Sequence, residues 1–259
     1  MNPSRRTRIA ELVGALGECS VERLAQKFGV SDMTIRRDLR ALAAQGRVLR
    51  THGGAAAAER VSFEFKFLER ARERQPAKEE IARVAAALVR DGQSLLVDSG
   101  TTTLAVARRL KERRDLTLIT SSLPIASELQ FCDAIRVYLL GGQIRRSSPD
   151  LIGAFAEANL ETIRADLAFL GADAVDERGF AYNKSPEVAR MLARMATAAR
   201  EVFVLADSAK IGRTELARFG SLCRWGGLVT DRNLSRKHAA ALRRAGVKLL
   251  QPRIHPARP

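Results

Sequence analysis

The sequence predicts an α/β protein in two parts, an N-terminal winged helix-turn-helix and a C-terminal α/β domain built on a parallel sheet. Two observations favour this fold class. Residues 20–55 carry two short amphipathic helix patterns, a glycine turn between them and a glycine-rich hairpin pattern after them. Beyond residue 94, runs of Val, Ile and Leu alternate with helix-length segments, which is typical of a parallel sheet covered by helices.

The first helix pattern covers residues 21–28, where Leu24 and Phe28 stand one turn apart on an apolar stripe. Ser20 is placed to cap its free backbone N–H groups. Gly29 supplies the permissive backbone that a helix C-terminus requires. A short helix followed by a tight turn is therefore expected.

A second helix pattern begins after Ser31, a predicted N-cap, and has Asp32 in its first turn. Ile35, Leu39 and Leu42 recur at helical spacing, so they should face the core.

The opposite side of this second helix is basic. Met33, Arg37, Arg40 and Ala44 fall on the far side, and Arg36 lies on the flank. An exposed helix with arginines near its N-terminus is typical of a DNA major-groove reader. Arginine binds guanine in a bidentate manner or holds a phosphate oxygen, and the pattern does not say which arginine does which. The alternative is a solvated charged face, but the order of helix, turn, capped helix and hairpin favours DNA.

Residues 48–55 predict a strand, a tight turn and a return strand, which together form the wing. Arg50 and His52 would lie along a phosphate backbone, although His52 equally fits an ordinary turn residue. The predicted DNA-contacting residues are Ser31, Met33, Thr34, Arg36, Arg37, Arg40, Arg50 and His52.

Composition supports a polyanionic partner without establishing one. The 259 residues carry a net charge of +15, but the charge is spread along the chain and arginine is abundant throughout. The three cysteines lie far apart, which fits free thiols in a reducing cytosol better than disulfides or zinc. No pair of histidines has ligand spacing, so we expect no metal site and no cofactor.

The first residues contain no apolar targeting segment, and no apolar run approaches the ~18 residues of a membrane span. We therefore expect a soluble cytoplasmic protein without a membrane partner. The predicted domains are residues 1–58 for DNA binding, a linker over 59–75, and an effector-sensing domain over 76–255.

The alternation of Phe63, Phe65 and Phe67 within the linker fits a short strand or an apolar edge. An amphipathic helix is predicted over residues 78–90. Six apolar runs then predict strands buried on both faces, starting near residues 94, 116, 135, 167, 201 and 226. Helices are predicted between them over residues 103–112, 123–131 and 186–198.

Ligands of such sheets bind where the carboxyl ends of the strands lead into loops. A glycine and three threonines directly after the first run are suited to hold a phosphate at a helix N-terminus; the alternative is an ordinary helix cap. The glycine spacing fits neither a nucleoside triphosphate nor NAD. The residues of this loop are Asp98, Ser99, Gly100, Thr101, Thr102 and Thr103.

Further candidates follow the later strands. Lys210 would neutralise a phosphate or, alternatively, would form a surface pair with Asp207. The glycine pair after the third strand allows close approach of a ligand, but it equally fits a plain turn. The remaining predicted effector-binding residues are Thr120, Ser121, Ser122, Gly141, Gly142, Asp173 and Lys210.

The segment FGVSDMTIRRDLRALAAQGRVLRTHGGA closely resembles the N-terminal signature of the DeoR family of bacterial sugar-catabolism regulators. The resemblance continues in order through LLVDSGTTT, LITSS, LLGG, LGAD, VLADSAKIGR and LVTD, from about Arg5 to Asp231. It implies a transcriptional regulator, more often a repressor, of carbohydrate or polyol catabolic genes. The implied partners are a double-stranded DNA operator, a phosphorylated sugar or polyol effector, and further copies of the chain in a homo-oligomer.

The second domain of this family is similar to sugar-phosphate isomerases, whose motif is Asp-Gly-Ala-Asp-Glu. This chain has Leu170 and Ala174 in place of the first and last acids and retains Asp173. It also departs from the family pattern at Ser121, where Asn is usual, and at Ala174, where Gly is common. The comparison implies a binding pocket without catalysis. The alternatives are a sugar-phosphate isomerase or hydrolase with an added DNA-binding module, and a nonspecific architectural DNA binder.

Overall fold

A computed structural model of the chain describes residues 3–45, 47–57, 67, 69–145 and 148–252, and the side chains of residues 3 and 4 lie outside that description. The chain divides into two compact units, Met1–Glu69 and Arg70–Pro259. Within the described ranges, no helix has both the length and the apolar character that a membrane span requires.

The first unit is a winged helix-turn-helix. Its sheet has the strand order β1-β3-β2, and both strand pairs are antiparallel. The elements are α1 (Pro3–Leu16), β1 (Glu18–Ser20), α2 (Val21–Phe28), α3 (Asp32–Ala44), β2 (Val48–Arg50) and β3 (Gly54–Ala57). The two predicted helices and the predicted hairpin are confirmed, whereas α1 and β1 are additional elements.

Local capping explains where α2 and α3 begin and end. The Ser20 hydroxyl accepts the N–H of Arg23 at 3.2 Å, and the Ser31 hydroxyl accepts the N–H of Thr34 at 3.4 Å. Gly29 ends α2 with φ +62°, a left-handed conformation that favours glycine. Both predicted caps and the predicted glycine turn are confirmed.

Residues of α1, α2 and α3 together form the core of the first unit. The exposed fractions of Ile35, Leu39 and Leu42 are 0%, 1% and 0%, so the predicted buried face of α3 is confirmed. Ile9 and Val13, which lie one turn apart on α1, are buried in the same cluster.

The second unit is built on a seven-stranded sheet with the order β15-β14-β12-β9-β4-β5-β6, in which every neighbouring pair is parallel. These strands are β4 (Ser94–Val97), β5 (Leu116–Thr120), β6 (Ile135–Leu139), β9 (Ala165–Gly171), β12 (Ala199–Leu205), β14 (Gly227–Val229) and β15 (Leu249–Leu250). The predicted parallel-sheet α/β architecture is confirmed.

Smaller elements complete this unit. Two short antiparallel sheets contain β7 (Gln143–Ile144) with β8 (Leu151–Ile152), and β10 (Ala174–Val175), β11 (Phe180–Asn183) and β13 (Ala217–Ser221). The helices are α4 (Gln75–Ala86), α5 (Thr101–Leu110), α6 (Leu123–Leu129), α7 (Ala154–Asn159), α8 (Pro186–Thr197) and α9 (Arg236–Arg244).

Several predicted boundaries are wrong. The helix predicted over 78–90 is α4, which starts earlier because Pro76 occupies its first turn. The helix predicted from Thr103 begins at Thr101. The prediction that all six strands are buried on both faces fails for β6, which lies at the edge of the sheet and has exposed side chains.

The structure describes only residues 67 and 69–75 of the predicted linker. Phe67 is helical and buried, which contradicts a strand at that residue. Phe63 and Phe65 lie outside the described residues.

A buried carboxylate joins α1 to α3. Asp38 is 2% exposed, and its two oxygens accept hydrogen bonds from the Nε atoms of Arg5 and Arg6, both at 2.8 Å. Burial acts to raise the pKa of Asp38, but the bonds from Arg6 and Arg5 outweigh it and hold the pKa below the usual range. The pairing therefore fixes the start of α1 against the middle of α3.

Replacing Asp38 should loosen this contact. Asp38→Asn keeps the shape of the side chain but removes the charge that both guanidinium groups require, at an expected cost of about 2–3 kcal/mol. Amide hydrogen exchange of the full chain at pH 7 should show a loss of protection in α1 and α3 of ~30-fold or more. Glu11→Gln, on the exposed side of α1, is the control, and equal protection in both variants would contradict this role.

Candidate functional sites

The outward side of α3 is basic. Arg36, Arg37 and Arg40 are exposed, and Met33 is 71% exposed. Among the residues that the structure describes, none forms a salt bridge with these three guanidinium groups. The predicted solvent side of α3 is therefore confirmed, and its positive charge is available to an anionic partner.

Two hydroxyls precede these arginines at the start of α3. The Ser31 and Thr34 side-chain oxygens lie 3.0 Å apart, and Ser31 also caps the helix. Ser31 is exposed and Thr34 is half-buried. Both stand at the positive end of the helix dipole, where phosphate oxygens bind favourably.

The wing places two further predicted residues at the surface. Arg50 is exposed at the end of β2, and His52 is exposed in the turn that follows. The turn is closed by a hydrogen bond of 3.1 Å from the N–H of Thr51 to the carbonyl of Gly54. A Cβ at Gly54 would stand 2.2 Å from the Cys19 carbonyl oxygen, so glycine is required where the wing packs on β1.

The second unit carries an acidic cluster at the carboxyl end of β4. Asp98 follows this strand, is 7% exposed, and accepts the N–H of Gly171 at 3.0 Å. Ser99 donates its hydroxyl to Asp150 at 2.5 Å. Arg145 donates to the same carboxylate from Nε at 2.9 Å and from Nη2 at 2.7 Å. Sequence reasoning missed Arg145 and Asp150, since neither lies directly after a strand of the main sheet.

Burial raises the pKa of Asp98 to about 6, although the N–H of Gly171 acts in the opposite direction. The negative charge of Asp150 adds to the increase. Asp98 thus accepts the backbone N–H groups of Gly171 and Ser99, whereas the neighbouring Asp150 is held by an arginine and a hydroxyl. An additional donor, such as a hydroxyl group, would be stabilised at Asp98.

Several predicted hydroxyls point into the protein. Thr103 is 0% exposed, and its hydroxyl donates to the Gly100 carbonyl at 2.9 Å. Thr120 is also fully buried and accepts the N–H of Ser122 at 3.1 Å, while the Ser122 hydroxyl caps α6. The structure thus supports the alternative of ordinary helix capping for these side chains, and the buried Thr102 and Ser121 lie beside them. Thr101, at the start of α5, is half-buried.

Gly142 has a structural reason for being glycine. It follows β6 at φ +149°, and a Cβ there would stand 2.7 Å from the Ile152 carbonyl oxygen. Gly141 precedes it and is exposed. Close packing of β7 and β8 therefore explains Gly142 without a ligand.

The remaining predicted residues lie at the ends of β9 and β12. An oxygen of Asp173 accepts the N–H of Lys184 at 3.0 Å. Lys210 belongs to a short 3-10 helix, Ser208–Lys210, and its Nζ donates to the Ala172 carbonyl at 2.7 Å. Asp207 pairs instead with Arg74, at 3.3 Å, so the alternative of an Asp207–Lys210 pair does not describe this site.

Lys78 is a further cationic residue, for which the sequence predicted only a position at the start of an amphipathic helix. It is 7% exposed, and its Nζ donates to the carbonyl of Glu73 at 2.7 Å and to that of Arg70. Burial lowers the pKa of Lys78, and the charge of Lys210 lowers it further. Two ammonium groups therefore repel each other near the carboxyl ends of β9 and β12.

A winged helix-turn-helix with an exposed arginine face, joined in one chain to an α/β unit with polar clusters at its strand ends, defines a ligand-sensing DNA-binding regulator. Comparison with known families agrees with this class. Residues 5–61 match the DeoR-like helix-turn-helix domain, and residues 73–232 match the DeoR C-terminal sensor domain. The chain belongs to the DeoR family of transcriptional regulators.

Named relatives extend over the whole chain. The HTH-type transcriptional regulator GlpR of Haloferax volcanii is 35% identical over 95% of this chain and 96% of its own length. The glycerol-3-phosphate regulon repressor of Escherichia coli K12 is 33% identical over 88% of this chain and 90% of its own. These relatives are regulators of transcription, which favours that role over an enzyme.

Among solved structures, a ribose 5-phosphate isomerase A from Methanocaldococcus jannaschii is similar at a TM-score of 0.39 and 22% identity. The match covers 52% of this chain and 53% of the isomerase. The score is low, so the similarity of the second domain to isomerases remains an expectation from the sequence.

The raised pKa of Asp98 predicts a pH-dependent stability. Its folded pKa of about 6 lies above its ordinary value of 3.8, so the native state binds this proton more tightly than the unfolded chain does. The ionised form therefore destabilises the fold by ~3 kcal/mol above pH 6, and this cost disappears as the pH falls toward 4. Asp98→Asn should raise the melting temperature at pH 8 and leave it nearly unchanged near pH 4.

Asp166 provides a matched control of opposite sign. Hydrogen bonds from the backbone N–H and the hydroxyl of Ser94 lower the pKa of Asp166. Asp166→Asn should therefore lower the melting temperature at pH 8, with the difference fading as the carboxylate is protonated in acid. If Asp98→Asn lowers the melting temperature at pH 8 as well, the buried charge of Asp98 is not a cost to the fold.

Proposed function

We propose that the protein is a repressor of carbohydrate or polyol catabolic genes whose second unit binds a phosphorylated sugar or polyol. The observation that carries this proposal is that one chain contains two polar surfaces. One is the exposed arginine face of α3, and the other is the set of carboxylates and ammonium groups at the strand ends of the second unit. The names of relatives support it, since they include a glycerol-3-phosphate regulon repressor and a lactose phosphotransferase system repressor of Lactococcus lactis.

On DNA, α3 would enter the major groove and the wing would follow the phosphate backbone. Exposed guanidinium groups on the outward side of α3 support base or phosphate contacts, and the hydroxyls at its N-terminus support phosphate contacts. The proposed DNA-contacting residues are Ser31, Met33, Thr34, Arg36, Arg37, Arg40, Arg50 and His52.

In the effector site, we assign the sugar and the phosphate to different clusters. Asp98 and Asp173 would accept hydrogen bonds from sugar hydroxyls, while Lys210 and the adjacent Lys78 would hold the phosphate. A bound dianion would also relieve the repulsion between the two ammonium groups. The backbone N–H groups at the start of α5, after Gly100, offer the phosphate further donors.

Regulation requires that the effector bind the DNA-competent and DNA-incompetent states with different affinity. We propose that residues 1–58 bind DNA, that residues 59–75 form the linker, and that residues 76–255 form the effector-sensing domain. Dimers or larger homo-oligomers would present two recognition helices to successive major grooves about 34 Å apart. The proposed working location is the cytoplasm, where operator DNA is accessible.

An isomerase would need a positioned acid-base pair beside the sugar carbonyl. The positions of the two missing acids are occupied by Leu170 and Ala174, which are 0% and 1% exposed and belong to the apolar core. This burial supports binding without turnover. Turnover of pentose or hexose phosphates by the purified protein at enzyme-like rates would contradict the proposal.

Arg37→Ala should weaken operator binding at least tenfold, because one good arginine–base or arginine–phosphate contact contributes about 1–3 kcal/mol. Binding is measured by fluorescence anisotropy with a labelled DNA duplex from the promoter of the gene that encodes this protein, at fixed salt concentration. Arg244→Ala removes the same charge from the exposed end of α9 and serves as the control. Equal operator affinity in the two variants would contradict the placement of α3 in the groove.

Lys210→Ala should weaken sugar-phosphate binding at least tenfold and leave operator binding without effector nearly unchanged. A thermal-shift screen of phosphorylated sugars first identifies the effector, since a ligand that prefers the native state raises the melting temperature. Calorimetry then compares Lys210→Ala with Lys237→Ala, an exposed lysine on α9. An unchanged affinity in Lys210→Ala would show that the phosphate binds elsewhere.

A further inference from the structure

The two edges of the main sheet differ in how well they are protected. At one edge, β15 has only two residues and is followed by Pro252, which has no N–H to donate. At the other edge, β6 has five residues, and among the described residues no strand pairs with its outer side. Native proteins rarely leave a long apolar edge strand open.

Hydrogen bonds on the inner side of β6 show which backbone groups face outward. The N–H of Leu116 donates to the Ala134 carbonyl at 3.0 Å, and the N–H of Leu140 donates to the Thr120 carbonyl at 2.8 Å. Alternate residues of a strand direct their backbone groups to opposite sides. Val137 and Leu139 therefore direct their N–H and carbonyl groups to the open edge, and Ile135 directs its carbonyl there.

The side chains of β6 are apolar on one face, and the other face carries an arginine and a tyrosine. Ile135, Val137 and Leu139 line a groove of about 400 Å³ against α6. Arg136 is exposed on the opposite face beside Tyr138, which is 52% exposed. An arginine and an aromatic ring two positions apart can complement each other in an antiparallel copy of the same strand.

We propose that β6 pairs with β6 of a second copy of this chain, antiparallel and with Val137 on the two-fold axis. In this register, Val137 exchanges two hydrogen bonds with its symmetry mate, and each Leu139 N–H donates to the Ile135 carbonyl of the other copy. Arg136 of each copy then lies directly opposite Tyr138 of the other, which gives two cation–π contacts. The pairing joins two seven-stranded sheets into one and gives the self-complementary interface that a two-fold dimer requires.

A charge reversal tests the side-chain register in the full chain. Tyr138→Lys places a cation opposite Arg136 at both positions and should raise the dissociation constant of self-association at least tenfold by sedimentation velocity. Adding Arg136→Glu to that variant restores opposite charges and should bring the constant back to within about threefold of wild type. A monomeric wild type at 50 µM, or no effect of Tyr138→Lys, would overturn the proposal.

Cross-linking tests the backbone register independently. In a Cys132→Ser, Cys223→Ser background, Val137→Cys places two thiols at a directly opposed pair with Cα atoms about 5.5 Å apart, within disulfide range. Arg136→Cys is the matched control, because its symmetry mate is offset by two residues and lies about 8 Å away. Mild oxidation should link Val137→Cys into dimers and leave Arg136→Cys largely unlinked; the reverse result would refute this register.

Discussion

The parallel pairing of β9 with both β4 and β12 determines where the chemistry of the second unit lies. Parallel strands end at the same edge of a sheet, so the loops after β4, β9 and β12 meet there. This constraint brings Asp98 to the N–H of Gly171 and Lys210 to the carbonyl of Ala172, although each pair is far apart in sequence. The candidate site is thus a consequence of strand order, and each strand contributes only one or two polar groups to it.

The first unit was largely predictable because its determinants are local. A serine cap, a left-handed glycine and a helical repeat of apolar residues each act within one or two turns, so they define α2 and α3 without knowledge of the rest of the chain. The pairing of Asp38 with Arg5 and Arg6 spans 33 and 32 residues. Its partners become apparent only when α1 is packed against α3. The ion pair between Arg145 and Asp150 is local, five residues apart, but neither residue directly follows a strand of the main sheet, so strand-end reasoning missed it.

Strand order was equally inaccessible to the sequence. An apolar run such as that of β6 has the composition of a buried strand. It is an edge strand because, in the sheet order, it has β5 on one side and no strand of the described sheet on the other. The run of hydroxyls in Thr101–Thr103 and Thr120–Ser122 was correctly placed at helix starts, but a hydroxyl there can cap the helix as well as bind a ligand. Burial decided between these roles, directing Thr103, Thr120 and Ser122 inward.

The carboxylate of Asp98 differs energetically from the other buried carboxylates, which makes it a candidate for ligand binding. Asp38 and Asp150 are as deeply buried, but two arginines hold the first and an arginine and a hydroxyl hold the second. Asp98 accepts backbone N–H groups of Gly171 and Ser99, but burial outweighs them and raises its pKa, so its charge weakens the fold. A hydrogen-bond donor from a ligand would offset this cost, and the proposed sugar hydroxyl is a donor of that kind. The positive charge of the buried Lys78 is also unfavourable in the folded protein, because burial and the charge of Lys210 both lower its pKa. Under the proposed function, Asp98 would accept a hydroxyl of the ligand and the two lysines would bind its anionic group.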